Sequence, residues 1–349
     1  MNVVPFGKNT NVTENVPYVM VMTRRGELNC RKIDHKVITR QMEHIMANFS
    51  NANSTVEIVG RTAAYNDIVL IKITEKNQED GPAFRAEEDK YIVDKPEKKI
   101  IFIVHGLNIL GIHNLQCLSN VTEFSTLVSY YLEHLDKFDI FLIPLANPDG
   151  YARKELFWNK NISPQAACPG VSLDRNFDVA WNTSKSISSC SPIYAGSNPF
   201  SEPEARAVRD VLHHFSHKII AYIHVHAGSY DEHTYKGEAV LYPKGYTDAQ
   251  TDDDKYLDLR GEIDEAMKNA SFKITSVTVD TLYNWYGKVS GSSVDYASTI
   301  YGIPYALEFV MQLYTKAILQ RIALKEIWKR MVDVVFNNIW KSINANEVK

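Results

Sequence analysis

A single α/β domain, built on one mixed, largely parallel sheet covered by helices on both faces, is predicted by three features of the chain. Its 349 residues are 45% hydrophobic and 23% charged, enough to bury a large core. Short continuous apolar runs such as IVLIKI and KIIFIVHG read as strands buried on both faces. These runs alternate with segments whose apolar residues recur at helical spacing, the pattern of strands joined by crossover helices.

Residues 1–32 read as an N-terminal extension, polar and Asn-rich, then VPYVMVM and the basic pair Arg24 and Arg25; 33–349 read as the folded domain. From Ile33, a helical face runs through Val37, Ile38, Met42 and Ile45. Strands follow at VEIVG (56–60) and DIVLIKIT (67–74), separated by a polar turn. The charged loop EKNQEDGPAFRAEEDK leads to the strand KIIFIVHG, a helix over about 126–135, and the strand FDIFLIPL (138–145). NPDG closes that strand as a turn, with Pro and Gly where a turn favours them. In SEPE, Ser201 and Glu204 have capping-box spacing, and Val208, Val211, Leu212 and Phe215 continue a helix with one apolar stripe. The strand IIAYIHVHA (219–227), a helix over 254–268, the strand GIPYALEFV (302–310) and a long helix over about 316–343 complete the chain.

A net charge of -4 and the absence of any basic run exclude a general nucleic-acid binder. The apolar runs fall far short of the roughly 20 residues a membrane helix needs. The N-terminus lacks the charged start and apolar centre of a signal peptide. Even so, sequons begin at Asn11, Asn48, Asn53, Asn120, Asn161, Asn182 and Asn269, against roughly three expected by chance, an excess that points to the secretory pathway. Cys30, Cys117, Cys168 and Cys190 allow three pairings, and none is arranged as C-x-x-C, which argues against a structural zinc site. Peptides, proteins or small molecules are the expected partners, and a monomer the expected state.

In open α/β sheets, ligands bind beyond the carboxyl ends of the strands. The polar residues placed there are those of 105–111 and 147–150, with His226 and Glu308. Glu308, between Leu307 and Phe309, is a strand carboxylate that burial penalises unless it is paired or catalytic. His224 and His226 share one strand face by period 2, an arrangement that serves hydrogen-bonded cores as well as ligand sets.

Five stretches, in this order and spacing, carry a family resemblance: NPDGY (147–151), GVSLDRNFD (170–178), YAGSNPFSEPEA (194–205), HVHAGSY with AVLYPKGY, and GIPYALEF. The chain resembles the zinc metallocarboxypeptidases of the pancreatic carboxypeptidase A and B type from about Ile33 to its end. That resemblance implies a zinc ion held by two histidines and a glutamate with one position open to water. It also implies a general-base glutamate, an oxyanion arginine, and an asparagine-arginine pair gripping the substrate's terminal carboxylate. Residue by residue, it assigns Glu308 to the general base, His226 to a metal ligand, and Arg175 to the carboxylate grip. It further assigns Tyr286 to the tyrosine that covers substrate, Val294 to the base of the side-chain pocket, and Cys168 with Cys190 to a disulfide.

The other half of the family's site does not match. Laid without gaps, IFIVHGL puts Asn108 at the first histidine ligand, Gly111 at the glutamate ligand and Leu110 where an arginine is usual. Taking His105 instead would shift the ligand by three strand residues, on the order of 10 Å. Asn159, in FWNKNIS, stands at the oxyanion arginine, and Asp174 replaces the asparagine beside Arg175. The leading expectation is therefore a pseudo-peptidase without cofactor, binding a peptide C-terminus or a protein partner at the old cleft. The alternative is an active zinc carboxypeptidase acting on apolar C-terminal residues, with His105 or His113 joining His226 on the metal. A Ser/His/Asp hydrolase finds no G-x-S-x-G elbow to support it.

Overall fold

The computed structural model describes residues 45–47, 49, 51–76, 97–108, 122–153, 158–181, 187–227, 237–249, 254–269, 277–311 and 318–347. These belong to the unit Ile33–Lys349, and the expected extension 1–32 lies outside them. The strands are β1 (Ala52–Arg61), β2 (Asp67–Glu75), β3 (Lys99–His105), β4 (Phe138–Ile143), β5 (Ile219–Ala227), β6 (Ala239–Tyr242), β7 (Thr278–Thr281) and β8 (Tyr305–Met311). Among the described residues, the helices are α1 (Thr122–Leu132), α2 (Pro148–Ala152), α3 (Pro203–Phe215), α4 (Asp254–Lys268), α5 (Leu282–Tyr286), α6 (Ser293–Tyr301) and α7 (Ile318–Glu347), beside the short stretch at 45–47.

Among the described residues, one eight-stranded sheet runs β1-β2-β4-β3-β5-β8-β6-β7. Its centre, β4-β3-β5-β8, is parallel. Antiparallel pairings join β1 to β2, β2 to β4, and β6 to β8. The central strands are buried along nearly their whole length, as expected for parallel strands covered on both faces. At the β1 edge the burial stops, and Val56 and Ile58 are half exposed.

Strand alternation sorts the core into two layers. Ile101 and Ile103 of β3, Ile223 and Val225 of β5, and Leu307 and Phe309 of β8 face one side. There they meet Val128 and Tyr131 of α1, Leu259 and Ile263 of α4, and Trp328, Met331, Val335 and Phe336 of α7. Phe102 and Val104, Tyr222, and Ala306 with Val310 face the other side, against Val208, Val211 and Leu212 of α3 and Val294 and Ala297 of α6. His224, His226 and Glu308 fall on this second face by the same alternation.

The structure departs from the sequence reading at three local points. NPDG does not end as a turn. Asn147 accepts a hydrogen bond from the Gly150 N–H at 2.9 Å and caps the short α2, with Pro148 in the first turn, where its missing N–H costs nothing. Ser201 does not cap α3, because its hydroxyl donates to Glu202 at 2.8 Å and the helix begins at Pro203, with Glu202 at the cap position. The Asn161 sequon is no glycosylation acceptor in the folded chain, since Asn161 is fully buried and its amide donates to Glu202 and Glu204 at 2.7 and 3.2 Å. The sequon residues Asn53 and Asn269 are exposed. Of the helix expected from Ile33, the described residues hold only a helical stretch at 45–47, in which Ile45 is buried.

Candidate functional site

Charged and polar side chains gather on the second face of the sheet, where β5 and β8 run side by side. The register pairs His224 with Glu308 and His226 with Val310. Glu308 therefore sits one pleat below the level of His226, and the residue level with His226 carries no ionisable group. Across this face pass a 3-10 turn, Leu173–Arg175, which brings in Asp174 and Arg175, and the end of α5, which brings in Tyr286.

Glu308 is the hub. Its Oε1 lies 2.6 Å from His226 Nε2 and accepts a hydrogen bond from the Tyr286 hydroxyl, also at 2.6 Å. Tyr286 Oη is in turn 3.1 Å from His226 Nε2. Burial would raise the Glu308 carboxyl, but the His226 charge and hydrogen bond, the nearby His224 and the Tyr286 hydroxyl outweigh it and hold the pKa at about 2. The carboxylate is 1% exposed and ionised through the neutral range.

Asp174 and Arg175 take different roles. Asp174 Oδ1 accepts the backbone N–H of Ser293 at 2.9 Å, which ties the 3-10 turn to the start of α6. Arg175 Nη1 donates to the Asp174 carbonyl at 3.0 Å and lies 3.8 Å from Asp174 Oδ2. The turn can approach this closely because Gly291, at φ +70°, packs its Cα face against Arg175: a Cβ there would fall 2.2 Å from the Arg175 carbonyl oxygen. Asp295, on α6, is pushed up to about 7 by burial and by the Asp174 and Glu308 charges, against the hydrogen bond from the Gly245 N–H.

The structure brings His226, Glu308 and Tyr286 into one hydrogen-bonded group, with Asp174 and Arg175 on the turn beside His224. Val294 is fully buried in the α6 core packing. Asn159 is buried, and its Oδ1 finds no hydrogen-bond partner among the described residues. Asn108 is buried on the loop after β3, while Gly111 and His113 lie outside the described residues. Cys168 and Cys190 form the expected disulfide, with S–S 1.97 Å.

His105 does not join His226. It pairs in register with Val225, so alternation turns its ring to the first face, where Nε2 lies 3.0 Å from the Tyr131 hydroxyl. Burial, and then the nearby His224, push its pKa down to about 3, so the ring is neutral. The alternative metal set built on His105 fails for this reason: the two histidines occupy opposite sides of one strand layer.

The zinc ion that the resemblance implies can be tested against the positions it assigns. At Asn108 and Gly111 those positions offer a neutral amide and no side chain, and the Nε2 of His226 is already engaged by Glu308. That set does not fit a zinc ion, and no catalytic step is derived through one. The sequence reading undervalued His224. It is wholly buried, its two ring nitrogens have no hydrogen-bond partner among the described residues, and burial lowers its pKa. The signal was the His-x-His spacing on a strand whose neighbour carries a glutamate in register.

A family model described as zinc carboxypeptidase matches residues 38–333. Carboxypeptidase B of Helicoverpa zea is 31% identical over 288 residues, which cover 77% of this chain and 60% of that protein's length. The inactive metallocarboxypeptidase ECM14 of Arthroderma otae is 28% identical over 215 residues, covering 58% of this chain and 33% of that protein. Among solved structures, bovine thrombin-activatable fibrinolysis inhibitor, in complex with tick carboxypeptidase inhibitor, superposes with a TM-score of 0.65 at 23% identity, covering 88% of this chain and 98% of that one. That likeness bears on the fold alone. The family match, which spans most of the chain, decides membership: the chain belongs to the zinc carboxypeptidase family.

Proposed function

We propose that this chain uses the carboxypeptidase scaffold to bind a peptide C-terminus without hydrolysing it. The observation that carries the reading is the engagement of Glu308. A general base must reach a water beside the scissile carbonyl, whereas this carboxylate is buried, held between His226 and Tyr286, and one pleat below His226. The substitutions assigned to the reacting centre, Asn108, Gly111 and Asn159, point the same way, as does the kinship with a relative named inactive.

Arg175 supplies the grip on the terminal carboxylate through its guanidinium. Asp174 beside Arg175 lowers the net attraction for a free carboxylate, and Val294, fully buried in the core packing, exposes no surface to a side-chain pocket. The Cys168–Cys190 disulfide and the exposed sequons at Asn53 and Asn269 support an extracellular protein. No helix among the described residues is long and apolar enough to cross a membrane.

The test is calorimetric titration with peptides ending in Phe, Leu, Lys and Glu, each as free acid and as amide, beside a hydrolysis assay with and without added zinc. Binding of a free acid that weakens roughly tenfold or more on amidation or on Arg175→Gln is expected, with no new N-terminal product. Zinc-dependent turnover that Glu308→Gln abolishes would overturn the reading.

A further inference from the structure

Three buried donors converge at a point the assigned roles leave unused. The Nδ1 of His224 lies 3.7 Å from Asp174 Oδ1 and 3.9 Å from Glu308 Oε2, and one ligand atom of each residue falls within 4.8 Å of the other two. All three residues are at most 2% exposed. From these positions we infer that Asp174, His224 and Glu308 form a divalent-cation site, set one pleat deeper in the sheet than His226.

The spacings are too long for hydrogen bonds and suit a shared ion. A metal with bonds of about 2.0–2.2 Å to N and O donors holds neighbouring donors roughly 3.3–3.7 Å apart, so the two His224 edges, at 3.7 and 3.9 Å, close with shifts of a few tenths of an ångström, while the two carboxylate oxygens, within 4.8 Å of each other, draw together on the ion. The independent sign of a missing partner is His224. Its ring is enclosed, with no hydrogen-bond partner among the described residues for either nitrogen, and its Nδ1 faces the two carboxylates. A buried polar atom without a partner is costly, and a cation beside Nδ1 removes that cost while neutralising two buried carboxylates.

The donors are already oriented by other contacts. The Ser293 N–H fixes Asp174 Oδ1, while His226 and Tyr286 hold Glu308 by Oε1 and leave Oε2 turned to the cluster. Outer hydrogen bonds of this kind set the direction of ligating groups. One imidazole with two carboxylates suits Zn²⁺, Mn²⁺ or Co²⁺ better than a hard, all-oxygen ion such as Mg²⁺. The site uses neither Asn108 nor Gly111, and it stands independently of the peptide-binding reading.

The experiment uses the full chain stripped with a chelator and then returned to Zn²⁺. Equilibrium dialysis with elemental analysis is expected to give one zinc per chain, and a rise in melting temperature that the chelator reverses. His224→Gln and Asp174→Asn are expected to weaken zinc binding at least tenfold, provided near-ultraviolet circular dichroism shows them folded. A measurement on the unaltered chain removes dependence on the variants: anomalous diffraction at the zinc edge should place a peak within bonding distance of His224 Nδ1. No stoichiometric zinc, a peak beside His226 Nε2 instead, or unchanged affinity in folded His224→Gln would overturn the inference. Peptide titration of the metal-free chain is read separately, so failure of the metal site leaves the binding result intact.

Discussion

Replacing Glu308 by glutamine tests whether the buried network holds this region together, because it removes the charge while keeping the shape. The magnitude follows from two routes. The folded carboxyl is displaced from 4.5 to about 2, which corresponds to about 3 kcal/mol of preference for the ionised form in the native state. Breaking a buried ion pair by removing one partner costs about 3–5 kcal/mol on general experience. The sign follows from the depressed pKa: this contribution is present above the unfolded value of 4.5 and is lost as pH falls through about 2. Urea unfolding in chelator should therefore show Glu308→Gln less stable than the parent by about 3 kcal/mol at neutral pH. The gap should narrow by about 2 kcal/mol between roughly pH 5 and pH 3, because only the parent has this carboxylate to protonate. A variant within about 1 kcal/mol of the parent at neutral pH, or a gap that does not move with pH, would refute the assignment of Glu308 as the charged hub.

Other predictions follow from the surrounding packing. Burial raises the Glu204 carboxyl to about 8, so here the sign reverses: the native state holds the proton, and stability falls as pH rises from about 4.5 to about 8. Glu204→Gln should flatten that slope and gain about 3 kcal/mol on the parent between pH 5 and pH 8 in the same unfolding assay. A parallel slope in both proteins would count against it. Gly291→Ala places a Cβ 2.2 Å from the Arg175 carbonyl oxygen at a left-handed backbone, and should cost at least about 2 kcal/mol. It should also weaken peptide binding by displacing Arg175, which calorimetry would detect. Replacing Cys168 and Cys190 by alanine opens a loop with a sequence separation of 22, and should lower stability by about 3 kcal/mol by the loop-entropy relation.

Much of the architecture could be read from pattern because the central strands carry it openly. Runs such as KIIFIVH and FDIFLI are apolar at nearly every position on both sheet faces, and burial follows directly. What the pattern concealed was short or capped. β6 and β7 have four residues each and α5 has five, below the length at which a period can be recognised. NPDG has a turn composition, yet Asn147 caps a helix with it, since residues that favour turns also favour helix starts. In SEPE the capping spacing was right and the partner wrong: Asn176 Nδ2 donates to the Ser201 hydroxyl, and Ser201 then donates to Glu202. Local preference was overruled there by a tertiary hydrogen bond.

At the site, what could be read depended on whether a residue's meaning was local. Cys168 and Cys190 could be paired because short stretches carry them, and the disulfide forms. His105 misled as a candidate because strand parity, rather than nearness in sequence, decides which face a side chain serves, and parity sends it to Tyr131. His224 shows the converse. It reads as an ordinary core histidine until the β5-β8 register sets it beside Glu308 and a separate turn delivers Asp174 against the same ring nitrogen. Three segments distant in sequence must meet before that cluster exists. The same register separates the two possible centres: at the level of His226 the neighbouring strand offers Val310, while one pleat below it offers a carboxylate. If a cation binds this chain, donor chemistry therefore favours the deeper level, where the fold supplies a nitrogen and two oxygens already held in place by Ser293, His226 and Tyr286.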